Sequence, residues 1–315
     1  MILLTRAEVE ELLDLDELVD AVADALRDLS AGRASMPPRI AALVPEQDGL
    51  LGAMPTYLPG AGLAVKLVSL FPRNRDRSTH QAAIMVFDHA NGTPLALMDG
   101  AYITATRTAA ASALATRLLA RANARTLAIV GTGVQARSHA RALVRVRDFE
   151  EVRVAGRDLD RVGAFADELG ARACSSFEEA LSGADVVAAT THSVEPVVRH
   201  EWLAPGAHVN SVGLNPQGHE VDDQTVQNAA LYVESRSSAL APPPAGAPEL
   251  VGVDPARATE LGELVAGAAP GRTGQDQITL YKSVGVAVED AAAAALVLKA
   301  AGERGVGVEI QLEEL

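Results

Sequence analysis

A single cysteine, Cys174, stands in 315 residues. One thiol cannot close an intramolecular disulfide or build a cysteine-based zinc site, so both frameworks are excluded. Cys174 lies in RACSSFEEA, just ahead of a helical pattern and without a His or Asn signature, and reads as structural or incidental. Aromatic residues make up only 3% of the chain, so Ala, Val and Leu must fill its cores; an apolar fraction of 48% suffices. Basic residues are few beside acidic ones, 27 Lys and Arg against 41 Asp and Glu, for a formal net charge of −14. Such a chain repels nucleic acid and anionic membranes, and no clustered Lys/Arg run suggests a local exception. No uncharged run approaches the ~20 residues that a membrane helix needs. The start, MILLTRAEVEELLDLDELV, carries acids too early for a signal peptide. A cytoplasmic protein with no nucleic-acid or membrane partner and no metal is expected.

The length suggests two domains. The first ~30 residues read as helical, with Thr5 and Glu8 spaced as a capping box and Val9, Leu12, Leu13, Leu18 and Val19 on an apolar stripe. From Pro37 to Leu97, short β-rich runs (RIAALV, LAVKLVSLF, AAIMVF, PLALMDG) predict a mostly antiparallel sheet, with Asn91 and Gly92 marking a turn. Residues 104–121 are Ala- and Leu-rich, the pattern of a buried helix. Strands and helices then alternate through TLAIV, VRVAG, ADVVAAT, HVNSVG and ALYVES, which implies a parallel sheet covered on both faces. APPPAGAP (241–248) reads as a surface loop. A last long helix is predicted over roughly 279–302, packed back on the N-terminal part.

The most specific local signal is Gly131, Thr132, Gly133, Val134, Gln135, Ala136. A lone GxGxxA is weak, but here a five-residue apolar strand precedes it and a helix follows. That order puts backbone N–H groups and the positive end of a helix at a pyrophosphate. Gly131 permits the tight turn, Gly133 the close approach of phosphate, and Ala136 the close helix–strand packing. The second strand should end at the residue that reads the adenine ribose. It ends at Arg157 and Asp158: the arginine favours the 2′-phosphate of NADPH, while the aspartate suits the free hydroxyls of NADH. Both cofactors stay open, with Arg157 favouring NADPH.

The segments LLGAMPTY (50–57), LAVKLVSLFPRN (63–74), STHQA (78–82), GTPLALMDGAYITATRTAAASALAT (92–116), IVGTGVQARSH (129–139), HVNSVGLNPQGHEVDD (208–223) and TLYKSVGVAVEDAAAA (279–294) resemble the ornithine cyclodeaminase/mu-crystallin family over nearly the whole chain. The nearest resemblance is to its mu-crystallin-like ketimine reductases. It implies an α/β fold in which a Rossmann-type doubly wound parallel sheet (residues 123–278) is inserted into an α+β substrate and dimerisation domain (residues 1–122 plus 279–315). It implies a homodimer. It further implies that Arg39, Lys66 and Arg107 hold a substrate carboxylate, that Arg107 also touches the cofactor, and that Thr190, Val212, Gly213, Ser283 and Gly285 join Gly131, Thr132, Gly133, Val134, Gln135 and Arg157 around the dinucleotide. The chemistry agrees, since a guanidinium fork reads a carboxylate bidentately and a lysine adds a point charge and a proton. Lys66 in the middle of an apolar run is costly unless paired or used. Arg107 also reads as a structural ion pair with Asp99.

One departure is informative. Ornithine cyclodeaminases carry an aspartate in a pattern like VGxDxPG; here the run is Val212, Gly213, Leu214, Asn215, Pro216, Gln217, Gly218. An amide cannot serve as a general base near neutral pH, but it hydrogen-bonds a nitrogen or a water. The expected reaction is therefore reduction of a preformed C=N bond in a small cyclic ketimine carboxylate, such as pyrroline-2-carboxylate or piperideine-2-carboxylate. In that reading Lys66 or water supplies the proton, Asn215 orients the nitrogen, and a small imino or amino acid is the partner. The alternatives are ornithine cyclodeamination, alanine or amino-acid dehydrogenation, and a non-catalytic NADPH and small-ligand binder. His219, close in sequence, is a weaker candidate.

Overall fold

The computed structural model describes residues 1–311. Thr5 begins the first helix as expected: Glu8 N donates to its hydroxyl, and Glu8 Oε2 accepts from Thr5 N at 2.7 Å. The predicted N-terminal helical region divides, however, into β1 (Ile2–Leu4), α1 (Arg6–Leu12) and α2 (Leu15–Ser30). Asp14 causes the break, because its carboxylate accepts from the Asp16 and Glu17 amides, both at 2.9 Å, and starts a new helix. β1 escapes a local reading because its partner lies far away in sequence.

The strands β2 (Ile40–Val44), β3 (Gly49–Leu58), β4 (Gly62–Leu70), β5 (His80–Phe87) and β6 (Pro94–Asp99) form an antiparallel meander. The turn at Asn91 and Gly92 forms, with Gly92 at φ +78°, a conformation that favours glycine. One face of the meander buries Met54, Thr56, Leu58, Ala64, Ile84, Val86, Ala96 and Met98. Lys66 stands on this same face, opposite Met54 and Ile84 in the register. The other face exposes Leu51, Tyr57, Leu63 and Leu67.

Next comes α3 (Gly100–Leu119), begun by Asp99, whose Oδ1 accepts from Tyr102 N at 2.7 Å. The alternation that follows is β7 (Thr126–Val130), α4 (Val134–Leu143), β8 (Glu151–Ala155), α5 (Leu159–Leu169), β9 (Arg172–Ala173), α6 (Phe177–Leu181), β10 (Val186–Ala189), β11 (His208–Ser211), α7 (Asp223–Asn228), β12 (Ala230–Val233), α8 (Arg236–Ala239), β13 (Ala258–Glu260), α9 (Leu261–Val265) and β14 (Thr279–Lys282). Every pairing in this sheet is parallel, in the order β13-β12-β14-β11-β10-β7-β8-β9. The chain runs outward from β7 to β9 and then restarts on the other side with β10. The switch point, where such folds bind ligands, therefore lies between β7 and β10.

One expectation needs correcting. Residues 279–282 do not open the last helix; they form β14, which has neighbours on both sides and is fully buried. A short apolar run looks alike as a central strand or a buried helix. The helix α10 (Ala287–Arg304) starts eight residues later, and β15 (Val308–Glu309) pairs with β1. The small side chains of α10 pack on α2, β3 and β4. Two compact units result: Met1–Arg107 with the chain from Val286 on, and Thr108–Gly285. No helix among the described residues is long and apolar enough to cross a membrane. Cys174 is buried, as befits a structural thiol.

Candidate active site

Because the β7–β14 sheet is all parallel, the loops after β7, β8, β10, β11 and β14 emerge along its carboxyl edge. Most of the sequence-predicted dinucleotide residues gather there: Gly131, Thr132 and Gly133 after β7, Arg157 after β8, Thr190 after β10, Val212 and Gly213 after β11, Ser283 and Gly285 after β14. Gly131 has φ +118°, and a Cβ there would meet Thr190 Oγ1 at 2.6 Å. Thr190 is in turn locked to β7 by its hydroxyl, which donates to Val130 O at 2.8 Å. Gly133 begins α4 with open space where its side chain would be, and Val134 beside it is 63% exposed. An open glycine at a helix N-terminus, flanked by an uncovered apolar side chain, is a cradle that fits a dinucleotide pyrophosphate. Gln135 lies in the first turn of α4.

Two buried carboxylates hold these loops in place. Glu220 accepts four hydrogen bonds: from Thr191 N (2.6 Å), Thr191 Oγ1 (2.8 Å), Ser211 Oγ (2.8 Å) and Gly213 N (2.7 Å). Glu234, at the end of β12, accepts from Ser283 Oγ (2.5 Å), Gly285 N (3.0 Å) and Val284 N (3.3 Å). Lys282 is fully buried; its Nζ donates to Gly213 O (2.5 Å) and Ser211 Oγ (3.1 Å) and pairs with Glu249 at 2.8 Å.

In the other unit, Lys66 is no stray charge. Its Nζ lies 2.7 Å from Asp290 Oδ2. Arg107 Nε lies 3.0 Å from Asp290 Oδ1, and its Nη1 lies 2.7 Å from Glu289 Oε2. All four side chains are buried. The partners of Arg107 are thus the two acids at the start of α10 and not Asp99, which caps α3. Burial pushes Lys66 down to about 8, against the pull of Asp290 and with the push of Arg107 and Arg39. Burial raises Asp290, but Arg107 and then Lys66 overcome this and hold its carboxyl below the usual range. His80, half-buried at the start of β5, is lowered by burial and by the charges of Lys66 and Arg107. Lys66 and Arg107 are matched by Asp290 and Glu289, and the charge of Arg39 also reaches Lys66, so three cations converge on one buried place. A lysine titrating near 8 is a usable proton donor at neutral pH.

Asn215 sits in a tight loop. Its amide nitrogen donates to His192 O and Ser193 O, both at 3.4 Å, and its Oδ1 accepts from Gln217 N at 3.0 Å. His219 lies 3.4 Å from Asp223 and lines a cleft of about 640 Å³ that includes none of the predicted dinucleotide residues. Arg157 is exposed and lines a cavity of about 390 Å³ with Gly156, Ser175, Ser176 and Phe177. Asp158 caps α5, accepting from Arg161 N at 3.1 Å, so its charge is committed to a helix N-terminus. Sequence reasoning missed Glu220, Glu234, His80, Glu289 and Asp290. The last two carried a readable signal, two adjacent acids in an otherwise apolar Ala-rich helix.

The family model described as the ornithine cyclodeaminase/mu-crystallin family matches residues 1–305. The ketimine reductase mu-crystallin of Mus musculus is 41% identical over 272 residues, which cover 84% of this chain and 85% of the relative. The solved structure of Thermococcus litoralis Delta(1)-pyrroline-2-carboxylate reductase in complex with NADH and L-proline superposes with a TM-score of 0.92 at 36% identity, covering 98% of this chain and 100% of that one. An archaeal alanine dehydrogenase dimer with bound NAD gives a TM-score of 0.89 at 32% identity, covering 99% of each. The chain belongs to the ornithine cyclodeaminase/mu-crystallin family.

Proposed function

We propose that this protein is a nicotinamide-dependent reductase of small cyclic ketimine carboxylates, such as pyrroline-2-carboxylate or piperideine-2-carboxylate, and that it yields L-proline or L-pipecolate. The observation that carries the reading is the buried Lys66–Asp290–Arg107 cluster, in a chain whose glycine loop fits a dinucleotide. The relatives named as ketimine and pyrroline-2-carboxylate reductases support it.

Bound nicotinamide supplies the hydride. Arg39, Lys66 and Arg107 bind the substrate carboxylate, the guanidinium groups as hydrogen-bond forks and Lys66 as a point charge. Lys66 Nζ also supplies the proton that keeps the imine nitrogen protonated, and an iminium accepts hydride more readily than a neutral imine. Asn215 is held as a neutral side chain that keeps one Oδ1 lone pair for a substrate N–H. With no carboxylate at this position, proton abstraction from an amino acid lacks its base, which disfavours ornithine cyclodeamination and alanine dehydrogenation. Around the dinucleotide we place Gly131, Thr132, Gly133, Val134, Gln135, Thr190, Val212, Gly213, Ser283 and Gly285, with Arg107 as a further contact.

NADPH is taken as the preferred cofactor over NADH. Arg157 pairs with no acid among the described residues, and Asp158 is turned to capping, so the guanidinium is available to a 2′-phosphate. A homodimer through the antiparallel sheet is supported by its uncovered apolar face, where Leu51 is 50% exposed and Leu67 41%. The dimeric alanine dehydrogenase neighbour agrees with this. A single buried, reduced thiol suits the cytoplasm.

The test is NADPH and NADH consumption across cyclic and linear imino acids, with product chirality determined. Turnover with a cyclic ketimine carboxylate is expected. Dinucleotide binding without consumption on either cyclic imine would overturn the reading. So would ammonia release from ornithine with catalytic NAD, or NADH formation from alanine.

A further inference from the structure

We infer that Glu220 is a positioning residue for dinucleotide binding, acting through the loops after β10 and β11. Its side chain is buried, at 3% exposure, and its two oxygens divide their work. Oε1 takes the Thr191 amide and hydroxyl; Oε2 takes the Ser211 hydroxyl and the Gly213 amide. One carboxylate thus staples two adjacent loops of the carboxyl edge to each other. There is no slack in the staple: a Cβ at Gly213 would lie 2.1 Å from Thr191 O and 2.4 Å from Glu220 Oε1.

The direction of each hydrogen bond is fixed. An ammonium group only donates, so Ser211 Oγ accepts from Lys282 Nζ and must send its own proton to Glu220. The Thr191 and Gly213 amides can only donate. Glu220 therefore faces four donors, and only an ionised carboxylate satisfies them all. A glutamine has one acceptor oxygen and a donating NH2. Whichever way its amide turns, either Thr191 N–H or Gly213 N–H meets a donor and is left without an acceptor in a buried place, and the two loops separate. Gly213, itself among the residues placed at the dinucleotide, is thereby displaced, while Thr190 stays locked to β7 through Val130.

The inference rests on the proposed reading in one respect, that these loops touch the dinucleotide, so the readout is dinucleotide affinity and not turnover. The dissociation constants of NADH and NADPH are measured by the fluorescence of the bound reduced cofactor, for the parent, Glu220→Gln and Asp185→Asn. Asp185 is the matched control, a carboxylate accepting from the Arg125 amide at 2.7 Å and the Thr126 amide at 3.0 Å, at the amino end of the same sheet. Glu220→Gln is expected to weaken both cofactors about tenfold or more, while Asp185→Asn lowers thermal stability and leaves affinity unchanged. Should Glu220→Gln fail to fold, Ser211→Ala removes one of the four bonds without orphaning a backbone amide, and a smaller weakening in the same direction is expected. Parent-like affinity in whichever of these variants folds overturns the inference, as does equal weakening in Asp185→Asn. A parent protein that binds dinucleotide but reduces no imine overturns the proposed function and leaves this inference standing; one that binds no dinucleotide overturns both.

Discussion

Asp290→Asn is the sharpest test of the Lys66 cluster. The substitution keeps the shape of the side chain and removes the charge that lies 2.7 Å from Lys66 Nζ and 3.0 Å from Arg107 Nε. At an effective dielectric constant of about 20, a charge pair at about 4 Å is worth roughly 4 kcal/mol. Breaking a buried pair from one side costs about 3–5 kcal/mol. Asp290 is also the strongest influence holding Lys66 up against burial. At about 1.4 kcal/mol per pH unit, losing an influence of that size lowers Lys66 by roughly two to three pH units from about 8. In the parent, imine reduction should therefore fall as the pH rises through about 8, because Lys66 loses its proton. In the variant the fall should come roughly two to three pH units earlier, leaving roughly one-tenth to one-hundredth of the protein active at pH 7, with recovery on acidification. The assay is the pH profile of kcat/KM on a cyclic ketimine carboxylate, read beside urea unfolding to confirm a folded variant. A fall that stays at the parental pH in Asp290→Asn refutes the assignment and points to deprotonation of the imine itself. Lys66→Met with Asp290→Asn supplies the double-mutant check: the pair should be more stable than Asp290→Asn alone, because no buried amine is left without its carboxylate, yet inactive.

Three further outcomes follow from the same geometry. Arg157→Ala should weaken NADPH by roughly 10- to 100-fold while changing NADH little, since a charged hydrogen bond is worth about 1.5–3 kcal/mol; equal loss for both cofactors in titration calorimetry would remove Arg157 from 2′-phosphate recognition. Burial lowers His139 to about 4 and His208 to about 3. Both are neutral in the fold, so their contribution is complete above an unfolded value near 6.5 and is lost as the pH falls below it, by up to about 1.4 kcal/mol per pH unit for each. Urea midpoints should decline from pH 6.5 towards 5, and a flat profile there would contradict it. Leu67→Asp on the exposed sheet face should yield a folded monomer in sedimentation velocity, and a persistent dimer would locate the interface elsewhere.

Much of this protein was legible in sequence because the relevant signals are local. Strand, glycine loop and helix are consecutive at TLAIV, Gly131–Gly133 and Val134 onward, so the dinucleotide turn could be read from about a dozen residues. Lys66 was conspicuous for the same reason, a charge inside an apolar run. Asn215 was readable as an amide from its motif position alone. The structure changed the reading wherever partners are distant. β1 pairs with β6 more than ninety residues away, which no helical periodicity at the start could announce. β14 became a strand because two parallel neighbours satisfy its backbone, although its residues suit a buried helix equally well. Arg107 found Asp290 across 183 residues, not the nearby Asp99. The Glu220 staple likewise exists only once β10 and β11 lie side by side. The sequence by itself determined which chemical groups this protein has and where its nucleotide turn begins, because both are set by residue type and near-neighbour spacing. Only the tertiary structure decided which buried charges meet, because ion pairing in a core depends on strand order and register, which are fixed by contacts between segments remote along the chain.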